Sequence, residues 1–406
     1  MSRPYICAVV GKGFGDEGKG MAVDFLSSQH ENVLVIRHNG GAQSGHTVDL
    51  PDKRVVFHEL SSGSFRHAVT FWADTYFPDL YKLGEELSAF YHVAGFIPQI
   101  ISDYNTSITI IDDVLLNMAI EKKRGSDRHG SCGMGIYEAQ CRNESGFGIK
   151  IGEIINITKD ELVERLKEIR DKYLPVRLKE LGLRRKDLGE YDEMLKSTDV
   201  LANVAEEILT NIKYINVIHD IKKFVNDFDC IIFENGQGLL LDSENVEYSP
   251  HVTASRTGLT NPCNFLKQIG AEMDEVVYVS RSYVTRHGAG PLPHECKANE
   301  LGIAEADKTN LENEWQGKLR YAPHVSLQEF VKDVEMDLLH FQRSSMRLPL
   351  CSLLITHLNE TAGCLLFYRQ DIPVKKFCEN PTIKNLFDKI YISSTYFSKD
   401  IKFFEE

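Results

Sequence analysis

The sequence of 406 residues predicts an α/β protein, a single large domain with a mainly parallel central sheet and helical insertions. Apolar runs of strand length recur along the chain, and most are continuous, which is typical of strands covered on both faces. Amphipathic stretches with helical spacing separate these runs, as in alternating strand–helix units. The first run leads through a glycine loop into an apolar helix. We therefore treat 1–406 as one domain.

Several elements are predicted individually. Strands are expected at 5–10, 32–37, 107–111, 230–233, 276–280 and 353–356. The clearest helix prediction covers 158–174, because Thr158 and Glu161 form a capping box and apolar residues follow at helical spacing. A charged, helix-rich stretch at about 157–225 is interpreted as an insertion packed on the sheet, since proline and glycine are too sparse for a linker. The end, 399–406, predicts a surface strand or tail.

The composition narrows the class of protein. Lys and Arg total 46 against 59 Asp and Glu, a net charge of −13, which argues against nucleic acid or an anionic membrane as a partner. A small anionic substrate stays possible, because glycine loops and helix ends attract phosphate locally. No segment reaches the roughly 18 uncharged apolar residues that a membrane helix needs. Nine dispersed cysteines without a C-x-x-C pair indicate reduced thiols in a cytoplasmic protein and argue against structural zinc.

The strongest local signal is the segment GKGFGDEGKG at 11–20, which follows the first predicted strand. From Gly13 its spacing is G-x-x-x-x-G-K, so the domain is P-loop-like: backbone N–H groups surround an anion and Lys19 adds a positive charge. Gly20 stands where such loops usually have Ser or Thr, so no hydroxyl can bind Mg²⁺ there. Asp16 is a candidate replacement, because a carboxylate inside a phosphate loop indicates a metal ligand or a proton-transfer group.

A second glycine-rich segment, RHNGGAQSGHT at 37–47, follows the second predicted strand. In a parallel sheet both loops leave the carboxyl ends of strands, where open α/β sheets bind ligands. His46 in this loop is a candidate general acid, or a donor to a transferring phosphoryl group.

Together the two loops resemble the adenylosuccinate synthetase family, whose pattern is G-x-x-x-G-D-E-G-K-G followed by G-G-x-N-x-G-H-T. The resemblance continues in order through FENGQGLLLD at 233–242, YSPHVTAS at 248–255 and TRHGAGPLP at 285–293. The last segment resembles the family's T-R-V-G-A-G-P-F-P, with His287 in place of valine, and no role is assigned to this histidine.

The resemblance implies a ligase that joins IMP and L-aspartate, using GTP and Mg²⁺. In this family a carboxylate takes the N1 proton of the purine, O6 attacks the γ-phosphate, and the amino group of aspartate displaces the phosphate of the resulting 6-phosphoryl intermediate. Catalysis is then largely positioning and charge stabilisation. The resemblance also implies a cytoplasmic homodimer.

By resemblance, Asp16 is the general base and, with the carbonyl of Gly45, a Mg²⁺ ligand, and His46 is the acid. The expected triphosphate site comprises Gly13, Phe14, Gly15, Glu17, Gly18, Lys19, Gly20, Gly45, Thr47, His357 and Asn359. The expected purine monophosphate site comprises Gln43, Ser131, Cys132, Arg142, Gln237 and Thr253, with Gln237 addressing the purine O6 and Arg142 reaching the other subunit of the dimer.

Three segments depart from the family pattern. The aspartate loop, T-G-R-x-R-R in the family, corresponds to WQGKLRY at 315–321, where Lys318 and Arg320 are the expected carboxylate partners. The guanine-reading T-K-x-D segment is Thr356-His357-Leu358-Asn359 here, and an amide has one acceptor oxygen where a carboxylate has two. The family's S-T-G-P is replaced by SSTYF at 393–397. These changes predict that selectivity for GTP is relaxed or switched to ATP.

The departures resemble a phage and archaeal branch of the family. Part of that branch uses dGMP and makes the succinyl precursor of 2-aminoadenine, typically with a smaller residue in place of the loop aspartate. Retention of Asp16 favours IMP here. Two other classes were weighed, a phosphate-loop switch or kinase that would not require aspartate, and a catalytically dead nucleotide-binding protein that would have lost Asp16, Lys19 or His46.

Overall fold

The computed structural model describes residues 3–125, 129–303 and 317–405. In chain order its strands are β1 (Tyr5–Gly11), β2 (Val33–Arg37), β3 (His46–Leu50), β4 (Lys53–Phe57), β5 (Val69–Trp72), β6 (Ile100–Asp103), β7 (Ile215–Ile218), β8 (Cys230–Gly238), β9 (Glu275–Arg281), β10 (Val284–Arg286), β11 (Arg320–Ala322), β12 (Leu350–Thr356), β13 (Cys364–Phe367), β14 (Gln370–Pro373), β15 (Lys389–Ile392) and β16 (Lys402–Phe403).

The helices are α1 (Lys19–Ser27), α2 (Leu80–Ala94), α3 (Ile111–Arg124), α4 (Ile136–Arg142), α5 (Ile151–Ile154), α6 (Lys159–Glu168), α7 (Leu174–Glu180), α8 (Tyr191–Lys196), α9 (Thr198–Asn211), α10 (Ile221–Phe224), α11 (Thr260–Ile269), α12 (Leu327–Arg343), α13 (Val374–Cys378) and α14 (Pro381–Leu386).

Across the described ranges, ten strands form one sheet in the order β16-β15-β12-β9-β1-β8-β2-β5-β6-β7. Neighbouring strands are parallel except β15 and β16, which are antiparallel. The predicted α/β class with a mainly parallel central sheet is therefore confirmed. Because β1 lies between β8 and β9, the loops after these strands meet at one edge of the sheet.

Side chains of β1 explain why its apolar run is continuous. Ile6, Ala8 and Val10 face one core, which α11 and α12 cover, whereas Cys7 and Val9 face the core beneath α1. Both faces of the strand are buried, so no position is left for a polar residue. The same reasoning holds for the other central strands.

Five of the six predicted strands are present, as β1, β2, β8, β9 and β12, but the prediction at 107–111 was wrong. There the chain runs extended before α3 begins and makes two isolated bridges, one from Ser107 to Lys150 and one from Thr109 to Asp79. Ile108 and Ile110 are buried in the core against α2 and α9, while the N–H of Thr109 bonds to the carbonyl of Pro78. The apolar residues of this segment indicate that it is buried, and a buried connecting segment shows the same pattern as a buried strand.

The predicted capping box is confirmed, and α6 begins after it. The N–H of Thr158 donates to the carboxylate of Glu161 at 2.9 Å, and the N–H of Glu161 donates back to the threonine hydroxyl at 3.3 Å. The chain then continues through one wider turn at 169–173 into α7. The stretch 157–225 is mainly helical, but it also contributes β7, the edge strand of the sheet, and the C-terminal segment contributes the exposed edge strand β16.

All nine cysteines fall within the described ranges and are free thiols. In the same ranges we find no helix whose length and apolar character would allow it to cross a bilayer.

A buried carboxylate on α12 predicts a dependence of stability on pH. Asp337 accepts hydrogen bonds from the hydroxyl of Tyr278 at 2.9 Å and from the N–H of Leu259 at 3.0 Å. Burial nevertheless raises the pKa of Asp337 to about 7, against an ordinary value of 3.8. The native state therefore binds this proton more tightly than the unfolded state does.

The contribution of Asp337 to stability is fully present below about pH 4 and is lost as the pH rises to about 7. We expect Asp337→Asn to remove this loss. The free energy of unfolding of the variant minus that of the wild type should therefore increase by on the order of 4 kcal/mol between pH 4 and pH 7. Urea titrations from pH 4 to pH 8 measure the difference, with the exposed Asp371→Asn as the control. Parallel curves for wild type and Asp337→Asn would contradict the prediction.

Candidate active site

A cavity of about 1210 Å³ opens where the segments after β1, β2, β8, β9 and β12 meet. Open α/β sheets bind ligands at this position. Most residues assigned from the sequence line it, namely Phe14, Gly15, Asp16, Glu17, Gly18, Lys19, Gly20, Gln43, Gly45, His46, Thr47, Ser131, Cys132, Gln237, Thr253 and His357. Outside this lining lie Gly13, Arg142, Lys318, Arg320 and Asn359.

The first glycine loop is organised around the carboxylate of Glu17, which is 3% exposed. The N–H groups of Gly13 and Gly15 donate to it at 3.0 and 2.8 Å, and Nζ of Lys19 donates to its other oxygen at 2.7 Å. Burial alone would raise the pKa of Glu17, but Lys19 and these N–H groups hold it below its ordinary value. The loop is thus built to surround an anionic group.

Packing explains why Gly20, rather than serine or threonine, follows Lys19. A Cβ atom on Gly20 would lie 2.8 Å from the carbonyl oxygen of Thr47 and 3.2 Å from Cβ of His46. A serine or threonine at this position would push α1 away from β3. The departure from the usual phosphate-loop sequence therefore lets the two glycine loops pack closely.

Asp16 projects from the first loop with a left-handed backbone, φ 62°, a conformation that non-glycine residues rarely adopt. Its side chain is 21% exposed, and Oδ2 lies 3.5 Å from Nε2 of His287. Its backbone carbonyl accepts a hydrogen bond from Nε of Arg281. A carboxylate is thus presented to the cavity from a backbone held by a neighbouring strand.

His46, at the start of β3, is held between two oxygen atoms. Its Nδ1 lies 2.6 Å from a carboxylate oxygen of Glu234 on β8, and its Nε2 lies 3.1 Å from the carbonyl of Gly236. Burial lowers the pKa of His46, and the carboxylate opposes that lowering. Burial likewise opposes ionisation of Glu234, yet His46, Arg37 and Ser62 lower its pKa to about 2. The imidazole is fixed in orientation beside a permanent negative charge.

Two glutamine side chains converge beside Gly40, whose φ is 72°. A Cβ atom at Gly40 would lie 2.6 Å from Nε2 of Gln43 and 3.0 Å from Nε2 of Gln237, so only glycine leaves room for both amides. Oε1 of Gln43 and Nε2 of Gln237 are buried at the cavity wall, and neither has a hydrogen-bond partner among the described residues. An acceptor and a donor are therefore left for a ligand that offers both groups.

The opposite wall contains the loop 129–135, which precedes α4. Its Ser131 hydroxyl donates to Asn117 at 2.8 Å, and the adjacent Cys132 has its pKa raised to about 11 by burial, so its thiol is neutral. Gly130 packs against the backbone of the 288–289 turn, where a Cβ atom would lie 2.6 Å from the N atom of Ala289. This contact closes the cavity between the two segments.

Comparison with known proteins decides the family. The model of the adenylosuccinate synthetase family matches residues 8–317, more than half of the chain. This chain belongs to the adenylosuccinate synthetase family. The family resemblance and the ligase class that it implied are thereby confirmed.

Curated adenylosuccinate synthetases are similar over most of this chain. The protein of Xylella fastidiosa strain 9a5c is 28% identical over 312 residues, which cover 74% of this chain and 67% of that protein. The protein of Pseudomonas paraeruginosa strain PA7 is 30% identical over 305 residues, 71% of this chain and 64% of that protein. The chain thus matches about two thirds of the length of these relatives.

Two solved structures share the fold. A fully ligated adenylosuccinate synthetase from Plasmodium falciparum matches with a TM-score of 0.70 at 18% identity, covering 98% of this chain and 99% of that one. The succinoaminodeoxyadenylate synthetase of cyanophage S-2L, bound to dGMP and to dATP as an energy donor, matches with a TM-score of 0.62 at 14% identity, covering 99% and 95%. At these identities the likeness establishes the fold.

Arg142 does not occupy the place expected of a residue shared between subunits. It is 1% exposed, and its guanidinium forms a two-pronged ion pair with Asp113 at 2.8–2.9 Å. It also donates to the carbonyls of Phe147 and Ile108. Because these bonds hold it inside its own subunit, the structure corrects the expectation that Arg142 reaches a partner's phosphate site.

Arg320 is likewise engaged away from the cavity. Its Nη1 donates to the carbonyls of Gly288 and Gly290, at 2.9 and 2.8 Å, and the rest of its guanidinium pairs with Glu295. It therefore holds the 288–295 segment in place, and its expected role toward aspartate stays a prediction. Lys318 is exposed, and the preceding Trp315 and Gln316 of the family's aspartate loop lie outside the described residues.

Asn359, the expected reader of the donor base, is exposed and does not belong to the cavity lining, which includes its neighbour Glu360 instead. The short helical turn over Leu358–Glu360 places successive side chains in different directions, so a shift of one position exchanges which side chain enters the site. Glu360, His287 and Arg281 are among the lining residues that the sequence analysis missed. The first two offered a signal, a carboxylate next to the aligned position and a histidine replacing the valine of a family motif.

The oxygen atoms present fit a magnesium site completed by a nucleotide. Within the described ranges, no cluster of three or more His, Cys, Asp or Glu side chains could hold a metal. The Asp16 carboxylate and the carbonyl of the exposed Gly45 both line the cavity, next to the phosphate loop. Mg²⁺ typically takes one or two protein oxygens together with substrate phosphates and water, so this sparse donor set suits it.

Proposed function

We propose that the chain is a Mg²⁺-dependent ligase that joins IMP and L-aspartate to form adenylosuccinate, with hydrolysis of a nucleoside triphosphate. The observation that carries the proposal is that one cavity is lined by the carboxylate of Asp16, the imidazole of His46 and the anion-surrounding loop of Lys19. These are the three groups that an acid–base reaction at a phosphoryl group requires. Membership of the family supports the same chemistry.

In the proposed reaction Asp16 accepts the N1 proton of the purine, which makes O6 nucleophilic. O6 then forms a bond to the γ-phosphorus as the bond from that phosphorus to the β–γ bridging oxygen breaks, and the nucleoside diphosphate leaves. The amino nitrogen of aspartate next attacks C6, the bond from C6 to the phosphorylated oxygen breaks, and inorganic phosphate and a proton leave. Phosphorylation is needed because an amide-like oxygen is a poor leaving group.

The remaining side chains divide the other tasks. Lys19, which donates to Glu17 through one of its three N–H bonds, binds the triphosphate together with the loop N–H groups that Glu17 does not occupy. Nδ1 of His46 faces Glu234, so its Nε2–H donates to the transferring phosphoryl group in place of the Gly236 carbonyl. The unpartnered Nε2 of Gln237 is placed to donate to the purine O6. The Asp16 carboxylate and the Gly45 carbonyl would hold Mg²⁺, which would supply charge neutralisation for the triphosphate.

The other substrate contacts are proposed from the lining. Gln43, Ser131, Cys132 and Thr253 surround the purine monophosphate, and Thr253 offers a hydroxyl donor to its 5′-phosphate, since the Ser131 hydroxyl already donates to Asn117. Lys318 is the proposed partner for a carboxylate of aspartate.

We further propose a cytoplasmic homodimer, in which subunit contact does not depend on Arg142, and sedimentation velocity tests the oligomeric state.

Glu360 bears on the choice of phosphoryl donor. Its carboxylate lines the cavity together with His357 and Tyr396, at the end of β12. A carboxylate can accept from both the N1–H and the 2-amino group of guanine, whereas adenine presents an acceptor, N1, beside its amino group. We therefore propose that GTP is used at least as well as ATP, in place of the relaxed selectivity or the switch to ATP that the sequence changes around Asn359 indicated.

A coupled assay tests the proposed function and its principal alternative. IMP and dGMP are offered separately, each with GTP and with ATP, in the presence and absence of L-aspartate, and phosphate release and product mass are measured. We expect release that requires both IMP and aspartate, with GTP at least as effective as ATP. Turnover with dGMP alone would replace IMP as the substrate, and release that does not require aspartate would indicate a kinase or switch.

A further inference from the structure

A buried hydrogen-bonded chain joins the end of the cavity near β12 to the backbone of the first glycine loop. It runs from the Glu360 carboxylate through the Tyr283 hydroxyl and the Arg281 guanidinium to the carbonyl of Asp16, and we call it the coupling chain. Tyr283 and Arg281 are 2% and 5% exposed, so water has little access to these bonds. The mechanism proposed above uses neither of these two side chains.

At one end, the coupling chain acts on the peptide group of Asp16. This residue has the left-handed backbone noted above, which its neighbours must hold in place. The Nε–H of Arg281, at the last position of β9, donates to the Asp16 carbonyl. This hydrogen bond fixes the orientation of the Asp16 carbonyl group. Arg281 therefore restrains the backbone from which the side chains of Asp16 and the following Glu17 project.

At the other end, the coupling chain reaches the cavity. Nη1 of Arg281 donates to the hydroxyl of Tyr283 at 2.8 Å, and the hydroxyl donates to Oε2 of Glu360. Oε1 of Glu360 accepts from the hydroxyl of Tyr396, which is half exposed, at 3.0 Å. A hydroxyl that accepts from a cation and donates to an anion is polarised by both, so a change at the carboxylate is felt at the guanidinium.

We propose that Arg281 and Tyr283 are positioning residues that couple the donor base to the orientation of Asp16. A base that donates hydrogen bonds to Glu360 draws this carboxylate toward the cavity and fixes the Tyr283 hydroxyl, and Arg281 then fixes the Asp16 peptide. The proposal rests on the proposed function insofar as Asp16 is its base. It predicts that damage to the chain affects turnover more than the binding of IMP or aspartate.

Tyr283→Phe tests the chain, because it removes one hydroxyl and preserves the ring. Tyr278→Phe is the matched control. It also removes a buried hydroxyl that is bonded to a carboxylate, that of Asp337, but this tyrosine does not line the cavity. We expect kcat to fall by about 10- to 100-fold in Tyr283→Phe, with the KM values for IMP and aspartate within about 3-fold of wild type. Tyr278→Phe should lower Tm comparably and leave kcat unchanged.

Variants of Glu360 provide a second arm. Glu360→Ala removes the carboxylate that accepts from the tyrosine hydroxyl, and it should lower kcat. If both residues act through one chain, the double variant Glu360→Ala/Tyr283→Phe will be no slower than the slower single variant. A kcat within about 2-fold of wild type in Tyr283→Phe, or multiplicative losses in the double variant, would overturn the proposal.

Hydrogen–deuterium exchange separates this proposal from the proposed function, because it does not require turnover. The peptide covering residues 12–18 is followed with GDP and with pyrophosphate, which lacks a base. In the wild type we expect greater protection with GDP, and in Tyr283→Phe an equal effect of the two ligands. Equal protection in the wild type would exclude the coupling, whether or not aspartate-dependent turnover is found.

Discussion

Replacing Asp16 by Asn is expected to lower turnover by about 10²–10⁴-fold, the usual value of a general acid–base step, while leaving the fold intact. The amide has nearly the shape of the carboxylate, but it cannot accept the purine N1 proton and is a poor ligand for Mg²⁺. Asparagine also tolerates the left-handed backbone, φ 62°, better than most residues, so the loop should keep its conformation. The loss should therefore be chemical.

The measurement is kcat with IMP, aspartate and GTP, together with binding of a non-hydrolysable GTP analogue. Binding should weaken much less than turnover, because Lys19 and the loop N–H groups remain. Asp371→Asn, an exposed substitution on β14, is the control and should behave as wild type. Turnover of Asp16→Asn within about 10-fold of wild type would remove Asp16 from the role of base.

Replacing His46 by Asn is expected to lower turnover over the same range, about 10²–10⁴-fold, for a different reason. The imidazole is a donor whose direction is set by Glu234 at 2.6 Å, and the shorter amide cannot reach both that carboxylate and the phosphoryl group. The carboxylate then stays buried without the hydrogen bond from the imidazole, which adds a loss of stability. Glu234→Gln should give a smaller loss of turnover, because the imidazole remains.

Single-turnover measurement of phosphoryl transfer separates His46 from the later aspartate step. We expect formation of the phosphorylated purine itself to slow in His46→Asn, and His92→Asn, an exposed substitution on α2, to have no effect. If the phosphoryl transfer rate is unchanged and only adenylosuccinate formation slows, His46 acts on the second step instead. Thermal unfolding of each variant shows how much of the change is loss of folded protein.

The glycine loops illustrate what could be predicted from sequence. The segment 11–20 follows a strand buried on both faces, and its spacing of glycines around Lys19 has one local use, the binding of an anion by backbone N–H groups. Such patterns can be recognised from sequence because their geometry is set by residues that are close together in the chain. The cavity at this edge of the sheet brings the two loops together as expected.

Long charged side chains illustrate what could not be predicted. Arg142 and Arg320 stand in or near motif segments, but each finds acceptors among carbonyls and carboxylates brought close by tertiary packing. Asn359 and Glu360 are adjacent, and only the turn that they occupy decides which one enters the cavity. The strand predicted at 107–111 failed for a related reason, because burial by distant helices resembles burial in a sheet.

The sequence alone determined the strand–helix alternation, the phosphate loop, Asp16, Lys19 and His46, because each rests on local spacing. Only the tertiary structure decided which cations are already paired, which carboxylate lines the cavity at the end of β12, and how Arg281 and Tyr283 link that carboxylate to Asp16. The physical reason is that a hydrogen-bond partner for a long or buried polar side chain comes from wherever the chain folds back upon it. Motif spacing along the sequence contains no information about which distant residues become such partners.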